Sequence, residues 1–274
     1  MLRNWQYKRS LMHYHLKQGG LTGLLDLLAT YLIFWRHRRL IGNFIERRGN
    51  IIHIDGAQFS LDTPLLSTQR KALFLGQHEI YERIAIKDHL DPACPVIELG
   101  AGIGVISCLV NRMLNHPDQH VVMEPNTELI PLLDENRRLN NCQFSIVNAA
   151  LAYGSEFVDL YQRPSILTAT TLESTDRKIS VPAMTLQRVL DQFNLDHVTL
   201  ICDIEGAEVE LISEEQEILI NHIQMVIMEL HPSEVGASAF QKMLAQLTQS
   251  GFEKIDETHP TPNGNIVSVF RNGR

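Results

Sequence analysis

Acidic and histidine side chains follow two apolar segments in the second half of the chain. One segment leads into Asp203-Ile-Glu205-Gly-Ala-Glu208, and the other leads into Glu229-Leu-His231-Pro. Carboxylates accept hydrogen bonds and hold cationic groups, and an imidazole changes its charge near neutral pH. Such residues, placed where strands end, are suited to binding a polar ligand and moving a proton.

The elements that must position these side chains are parallel strands. In an open parallel sheet, ligands bind beyond the carboxyl ends of the strands, near the point where the strand order reverses. We therefore expect both motifs to share one rim with Glu98 and Glu124, which end two earlier apolar segments. Carboxylates at one rim repel each other unless a cation or hydrogen-bond donors compensate them. An alternative stays open for Glu205 and Glu208, which could instead favour the N-terminus of the next helix through its dipole.

A glycine turn follows the first of these earlier segments and reads Glu98-Leu-Gly100-Ala-Gly102-Ile-Gly104. Glycines let the backbone turn sharply and approach a ligand closely. The third glycine of the dinucleotide motif Gly-x-Gly-x-x-Gly is missing in either register, and no Gly-Lys-Ser/Thr of a phosphate loop follows. The remaining pattern, Glu-x-Gly-x-Gly-x-Gly, is similar to the first motif of S-adenosylmethionine-dependent methyltransferases.

Glu124 ends the second earlier apolar segment, twenty residues beyond Gly104. An acidic residue at the end of the second strand of such a unit can accept hydrogen bonds from both hydroxyls of a ribose. The alternative is an ordinary solvated acid at a strand end.

Strands and helices alternate from residue 96 onward, as expected for a parallel sheet covered on both faces. After residue 147, strand patterns at 148–151, 157–161 and 179–182 replace a helix, and a loop rich in Ser and Thr spans 165–175. We interpret these strands as a β insertion, and the loop either as part of a substrate lid or as an exposed connection. The other predicted elements are helices within residues 1–48, a hairpin at 51–61, and helices at 77–90, 105–114 and 127–139.

The composition is that of an ordinary globular protein, with 44% hydrophobic and 20% charged residues. The four cysteines are widely spaced beside apolar runs, so we expect reduced thiols, no metal site and a reducing, cytoplasmic compartment. The most apolar stretch, residues 24–35, is too short to cross about 30 Å of hydrocarbon.

Charge is unevenly distributed along the chain. The first 50 residues contain nine Lys and Arg and two acidic residues, within a net charge of −8 for the whole chain. An acidic remainder disfavours non-specific nucleic-acid binding, so we expect no nucleic-acid partner. The basic segment either contacts an anionic surface, such as membrane headgroups or a charged glycan, or forms a helical cap with a solvated basic face. We assign residues 1–76 to this N-terminal cap and residues 77–274 to a cofactor-binding domain.

The motifs at residues 203–208 and 229–232 resemble those of the FkbM family of S-adenosylmethionine-dependent methyltransferases. The glycine loop and the segment Asn148-Ala149-Ala150-Leu151 agree with the family in order and spacing, and the resemblance covers roughly residues 78–271. One departure is Gly102, where many relatives carry Asn. The Asp/Asn-Pro-Pro-Tyr/Phe motif of many enzymes that methylate nucleic-acid bases is absent, which argues against base N-methylation.

The resemblance implies an α/β, Rossmann-like class I methyltransferase sheet that binds S-adenosyl-L-methionine. It also implies O-methylation of a hydroxyl on a small molecule, namely a sugar, a glycan or a secondary metabolite. The implied cofactor-binding residues are Glu98, Gly100, Gly102, Gly104, Glu124, Asn148, Ala149 and Asp203. The implied catalytic residues are Asp203, Glu205 and His231.

A hydroxyl acceptor must lose its proton, and Asp203 and His231 are the candidates for the base. A histidine near its ordinary pKa of about 6.5 suits this role at neutral pH. The alternative for His231 is an orienting hydrogen bond at the strand end. Two other functions stay open: a non-catalytic cofactor-binding subunit of a glycan or membrane assembly, and a nicotinamide-dependent oxidoreductase.

Overall fold

The structure, a computed structural model, describes residues 45–47, 49–63, 69–162, 169–170, 177–258, 260–261 and 264–274, together with Met12 and Leu16. The helices predicted within residues 1–48 lie almost wholly outside the described residues. The same holds for the Ser- and Thr-rich loop at 165–175, of which only residues 169–170 are described.

Strands and helices are numbered along the described part of the chain. The strands are β1 (Ile51–Ile54), β2 (Ala57–Ser60), β3 (Val96–Leu99), β4 (His120–Met123), β5 (Ser145–Val147), β6 (Ala150–Leu151), β7 (Phe157–Gln162), β8 (Ala169–Thr170), β9 (Arg177–Met184), β10 (Val198–Cys202), β11 (Ile223–Leu230), β12 (Phe252–Glu257) and β13 (Ile266–Asn272). The helices are α1 (Arg70–Phe74), α2 (Ile80–His89), α3 (Val105–Met113), α4 (Ile130–Leu139), α5 (Leu186–Phe193), α6 (Glu208–Glu214), α7 (Gln216–His222), α8 (Pro232–Val235) and α9 (Ala237–Gln249).

The central sheet has seven strands in the spatial order β12-β13-β11-β10-β3-β4-β5. Strands β3, β4, β5, β10 and β11 are parallel, and β13 is antiparallel to both of its neighbours. The chain first builds outward from β3 to β5 and then returns to the other side of β3 with β10. The strand order therefore reverses between β3 and β10, which is where such sheets bind ligands. The predicted Rossmann-like α/β sheet is confirmed.

Both faces of the sheet are covered, which explains why its central strands are nearly continuous apolar runs. Along β3, alternate side chains pack on opposite faces. Ile97 and Leu99 belong to the core formed with α5, α6 and α9, whereas Val96 belongs to the core formed with α2 and α3. Glu98 follows the same alternation and therefore shares its face with Val96.

The predicted β insertion is confirmed as a separate sheet in the order β6-β9-β7-β8. β7 is antiparallel to β8 and β9, and β6 is parallel to β9. β9 is longer than its predicted core of 179–182 because its backbone pairs with β7 from Arg177 to Pro182 and then with β6. Leu160 and Val181 form a small apolar core within the insertion.

The hairpin of β1 and β2 is also confirmed, and it packs on the glycine-loop side of the central sheet. Asp55 and Gly56 at its turn have φ of +50° and +76°, as two-residue hairpin turns require. The backbone N–H of Ser60 donates to Oδ1 of Asn136 in α4 at 2.7 Å. The division of the chain at residues 76 and 77 stays a prediction.

Two smaller findings concern the cysteines and the helices. All four cysteines are free thiols, as predicted. Among the described residues, no helix is long and apolar enough to cross a membrane.

Candidate active site

A cavity of about 530 Å³ lies at the carboxyl edge of the central sheet, beside the point where the strand order reverses. Ligand pockets commonly have volumes of roughly 300–1,000 Å³. Its walls come from the glycine loop, from the segments after β4 and β10, from residues 77–82 and from the β insertion. The predicted site residues that line it are Gly100, Gly102, Glu124, Ala149, Asp203 and Glu205.

The glycine loop is held against the ends of β4 and β10. The backbone N–H groups of Gly100 and Ala101 donate to the carbonyl oxygen of Met123, at 3.0 and 3.2 Å. Gly100 has a φ of +88°, and a Cβ at this position would lie 1.8 Å from the carbonyl oxygen of Asp203. Only glycine fits at this position, because the loop and the Asp203 motif are in direct backbone contact.

Gly104 has a different role from the two glycines that line the cavity. It precedes α3, with a φ of +86°, and a Cβ there would lie 2.6 Å from Cδ1 of Leu133 in α4. Gly104 therefore permits the close packing of the loop on α4. Gly104 is not among the residues that line the cavity, and its predicted contact with a cofactor stays a prediction.

Glu124 lines the cavity at the end of β4, and its carboxylate is held on both sides by backbone. Oε2 accepts the N–H of Gly102 and Oε1 accepts the N–H of Asn126, each at 2.7 Å. Burial raises the pKa of Glu124 to about 7, although these two hydrogen bonds act in the opposite direction. Each oxygen keeps a second lone pair, so the carboxylate can accept two more hydrogen bonds, the number that a ribose diol donates.

Glu98, which was predicted to bind a cofactor, lies behind the glycine loop instead. Its Oε1 accepts a hydrogen bond from Oγ of Ser107 at 2.8 Å, and its Oε2 lies 3.3 Å from Nε2 of His120. Burial raises the pKa of Glu98, and His120 offsets part of this effect. The alternation along β3 turns Glu98 toward α3, so it positions the loop and does not line the cavity.

Asn148 is likewise a positioning residue and not one that lines the cavity. Its Nδ2 donates to the carbonyl oxygens of Glu124 and Pro125, at 2.8 and 3.1 Å. Its Oδ1 accepts a hydrogen bond from Oγ1 of Thr127 at 2.9 Å. Asn148 thus fixes the segment that carries Glu124, while its neighbour Ala149 faces the cavity.

The residues that follow β10 and β11 meet, as predicted. Nε2 of His231 lies 3.5 Å from Oδ1 of Asp203, 3.6 Å from Oε2 of Glu229 and 3.8 Å from Oε2 of Glu205. We call Asp203, Glu205, Glu229 and His231 the acidic cluster. All three carboxylates line the cavity, and His231 is buried behind them.

Glu208 holds His231 from the other side. It stands in the first turn of α6, where the capping alternative placed it, and its oxygens accept the backbone N–H groups of Ile204 and Gly206 at 3.1 and 2.9 Å. Nδ1 of His231 lies 3.1 Å from Oε1 of Glu208. Glu208 therefore fixes both the turn after β10 and the histidine ring.

The charge states of the acidic cluster differ from those that the sequence suggested. Burial by itself would lower the pKa of His231, but the neighbouring carboxylates of Glu208, Glu229 and Asp203 raise it to about 12. Without a bound cation, such a histidine keeps both ring protons at neutral pH and has no lone pair to accept a further proton. The expectation that His231 has an ordinary pKa is therefore not met, and its assignment as a catalytic residue stays a prediction. By contrast, burial and the charge of Glu229 raise the pKa of Asp203 well above its usual range.

Two glutamates of the cavity have a backbone conformation that glutamate rarely adopts. Glu79 and Glu205 have φ of +50° and +52°, whereas the other described non-glycine residues with positive φ are Asn, Asp or His. These three residue types tolerate the left-handed region better than glutamate does. Backbone strain of this kind, about 1–3 kcal/mol per residue, is common at functional sites.

Two acidic residues of the cavity were missed by sequence reasoning. Glu79 and Glu82 reach the cavity from the start of α2. Glu82 is buried, and burial together with the charge of Glu229 raises its pKa well above the usual range. The available signal was its spacing: Glu82 lies four residues before Ile86, on the apolar face of the helix.

The cavity residues fit S-adenosylmethionine, the group that the resemblance implies. Glu124 offers oxygens to a ribose diol, and the acidic cluster offers negative charge to an ammonium and a sulfonium group. Apolar surface for a flat ring comes from Met123, Ala150, Leu151 and Leu160.

Comparison with known proteins agrees with this description. The family model described as the methyltransferase FkbM domain matches residues 98–254, more than half of the chain. Among curated proteins, none matches the chain significantly.

Solved structures of similar fold share little sequence with the chain. A ribosomal protein L11 methylase from Lactobacillus delbrueckii subsp. bulgaricus is 12% identical, with a TM-score of 0.44 over 73% of this chain and 80% of its own. The Methanococcus jannaschii fibrillarin pre-rRNA processing protein is 13% identical, with a TM-score of 0.44 over 82% and 83%. The M. jannaschii tRNA m1G37 methyltransferase is 13% identical, with a TM-score of 0.45 over 82% and 54%. Likenesses this distant carry no information about the substrate.

Proposed function

The chain belongs to the FkbM family of S-adenosylmethionine-dependent methyltransferases, and we propose that it methylates a hydroxyl oxygen of a sugar, a glycan or a secondary metabolite. The observation that carries this proposal is the carboxylate of Asp203, which lines the cavity beside the glycine loop with a raised pKa. S-adenosylmethionine, when bound, supplies a methyl group on a positively charged sulfur.

In this proposal the glycine loop and Glu124 bind the cofactor. Gly102 lines the cavity while its N–H holds Glu124 in place, and Asn148 fixes the segment that carries Glu124. Gly100 is in contact with the backbone of Asp203. The glycine loop therefore also fixes the position of Asp203, at the end of the cavity where the acceptor would bind. Positioning of this kind supplies most of what an in-line displacement needs from an enzyme.

We assign the base to Asp203. A carboxylate with a raised pKa is a stronger base than an ordinary one, so in its ionised form it takes a proton from a hydroxyl more readily. His231 lies within 4 Å of the neighbouring carboxylates and orients them, so its role is positioning.

The same carboxylates favour a hydroxyl acceptor over an amine. A negatively charged rim stabilises an amine in its ammonium form, which has no lone pair to receive a methyl group. A neutral hydroxyl is instead activated when a carboxylate accepts its proton. The test is transfer of a ¹³C-labelled methyl group to a panel of hydroxylated sugars and metabolites, with amino-substituted counterparts as controls. If the chain transfers no label to the panel or to any component of a cell extract, it is instead a binding subunit.

Glu124 gives a prediction for cofactor affinity. Its ionised carboxylate offers only acceptor sites, whereas the protonated form offers a donor in place of one of them. We expect the affinity for S-adenosylhomocysteine to be highest above pH 7 and to fall as the pH drops through about 7, since binding requires the ionised form. Isothermal titration calorimetry between pH 6 and 8.5 measures this dependence.

The matched variant is Glu124→Gln. It should bind roughly tenfold to a hundredfold more weakly at pH 8, which corresponds to a lost charge-assisted hydrogen bond of about 1.5–3 kcal/mol. The affinity of the variant should no longer change near pH 7. An unaltered affinity, or an unaltered pH dependence, would refute ribose binding by Glu124.

We also propose that the basic N-terminal segment, residues 1–50, contacts an anionic membrane or glycan surface. What supports it is the excess of Lys and Arg among residues 1–50.

A further inference from the structure

The acidic cluster carries more negative charge than its surroundings compensate. Asp203, Glu205 and Glu229 surround the single imidazole of His231. A carboxylate oxygen of Glu82 lies within 4.8 Å of oxygens of Asp203 and Glu229. Among the described residues that line the cavity, none is a lysine or an arginine. Carboxylates at this spacing remain together only when protons or a cation neutralise them.

Two buried polar atoms of the cluster, Oδ1 of Asp203 and Nε2 of His231, make no hydrogen bond. They lie 3.5 Å apart, and Nε2 lies 3.6 and 3.8 Å from oxygens of Glu229 and Glu205. These separations exceed the length of a hydrogen bond, roughly 2.7–3.2 Å. Two atoms that each lie about 2.1 Å from one metal ion at a tetrahedral angle are about 3.4 Å apart. The cluster therefore has the spacing of a set of metal ligands.

The ring of His231 is also held as a metal ligand would be. Its Nδ1 lies 3.1 Å from Oε1 of Glu208, and the carboxylate of Glu208 is in turn anchored by backbone N–H groups. Histidines that bind metals usually donate their other nitrogen to a carboxylate or a carbonyl, which fixes the ring. Glu208 thus directs Nε2 toward the three carboxylates of the cluster.

We propose that Asp203, Glu205 and His231 bind a divalent cation, with Glu229 as an additional oxygen ligand. The cation takes the place of the proton on Nε2 of His231, which is released to solvent. The ligand atoms of the first three residues all lie within 4.8 Å of one another. One imidazole combined with carboxylates suits Mn²⁺ or Zn²⁺ better than Ca²⁺ or Mg²⁺, which prefer oxygen ligands alone. The prediction of no metal site rested on the wide spacing of the cysteines, none of which belongs to this cluster.

The consequence for catalysis rests on the proposed function. A cation held by the acidic cluster would border the cavity, where it could take the hydroxyl oxygen of the acceptor as a further ligand. If Oδ1 of Asp203 binds the cation, Oδ2 remains to accept the proton of the hydroxyl. Coordination to a divalent cation lowers the pKa of a bound hydroxyl group. The existence of the cation site does not depend on the nature of the acceptor.

The test uses the full-length chain after treatment with a chelator. We expect one Mn²⁺ ion to bind per chain, measured as loss of the electron paramagnetic resonance signal of free Mn²⁺. Glu205→Gln and Asp203→Asn should each weaken this binding at least tenfold, since each removes a charged ligand. Circular dichroism of both variants verifies that they are folded.

Glu124→Gln is the matched control, because it removes a carboxylate from the same cavity but outside the acidic cluster. We expect its Mn²⁺ binding to equal that of the unmodified chain. The proposal is wrong if Mn²⁺ does not bind, if both cluster variants bind it as well as the unmodified chain, or if Glu124→Gln weakens binding equally. If Mn²⁺ does not bind, thermal unfolding identifies the alternative. An amino sugar that raises the melting temperature when its neutral counterpart does not would show that the cluster binds an ammonium group instead.

Titration of the same samples with S-adenosylhomocysteine separates this proposal from the proposed function. Mn²⁺ binding without S-adenosylhomocysteine binding would contradict the proposed function and leave the cation site standing. The reverse result would contradict the cation site alone.

Discussion

Replacing Asp203 by Asn is expected to slow methyl transfer by roughly 10²- to 10⁴-fold, the usual contribution of a positioned general base. Asparagine keeps the shape of the side chain but cannot take the proton of a hydroxyl. The affinity for S-adenosylhomocysteine should change far less than the rate. Single-turnover transfer of a labelled methyl group measures the rate, and calorimetry measures the affinity.

A matched control for this variant is Asp159→Asn. Asp159 lies in β7 of the insertion, is about half exposed and pairs with Lys178 at 2.7 Å. An exposed ion pair contributes little to stability, so this substitution should leave both rate and affinity essentially unchanged. Equal rates for Asp203→Asn and Asp159→Asn would remove Asp203 from the mechanism.

Replacing Gly100 by Ala is expected to destabilise the protein by about 3 kcal/mol or more, the range of a severe overpacking. The added Cβ would lie 1.8 Å from the carbonyl oxygen of Asp203, so the glycine loop and the end of β10 must separate. Because both segments form the cavity, cofactor binding should be lost as well. Urea unfolding gives the change in the free energy of unfolding.

Gly154→Ala isolates the steric part of this effect. Gly154 has a φ of +75°, close to the +88° of Gly100, but a Cβ at this position would meet no atom within 4 Å. Its substitution should cost only the conformational penalty, about 1–2 kcal/mol. Similar losses for the two variants would show that the contact between Gly100 and Asp203 does not constrain the site.

That the site residues lie close together could be predicted from the sequence, because it follows from the strand topology alone. Parallel strands place their carboxyl ends at one edge, so the glycine loop, Glu124 and Asp203 had to meet once their strands were recognised. The β insertion was recognisable for a similar reason, since its strands have a local pattern. Their arrangement as a separate sheet depends on pairings between distant segments, which no local pattern specifies.

Which carboxylates face the cavity could not be predicted, because that depends on the direction of single side chains. Glu98 and Glu124 both end apolar segments, yet Glu98 belongs to β3 and turns toward Ser107, whereas Glu124 follows β4 and lines the cavity. Asn148 was placed correctly along the chain, but its amide is used to hold the backbone of Glu124.

The pKa of His231 shows most clearly how the surroundings of a side chain can change the behaviour expected from its residue type. An isolated histidine near neutral pH is a reasonable base, but four carboxylates, including that of Glu208, lie within 4 Å of its ring nitrogens. Those neighbours come from two separate segments of the chain, residues 203–208 and the end of β11. Only the folded structure brings them together.

The most direct test of the central claim is to identify the atom that receives the methyl group. The chain is incubated with ¹³C-methyl S-adenosylmethionine and its acceptor, and the product is analysed by heteronuclear NMR. We expect the labelled methyl carbon to be bonded to oxygen, with a long-range coupling to the carbon that carried the hydroxyl. A label on nitrogen, carbon or sulfur would contradict the account.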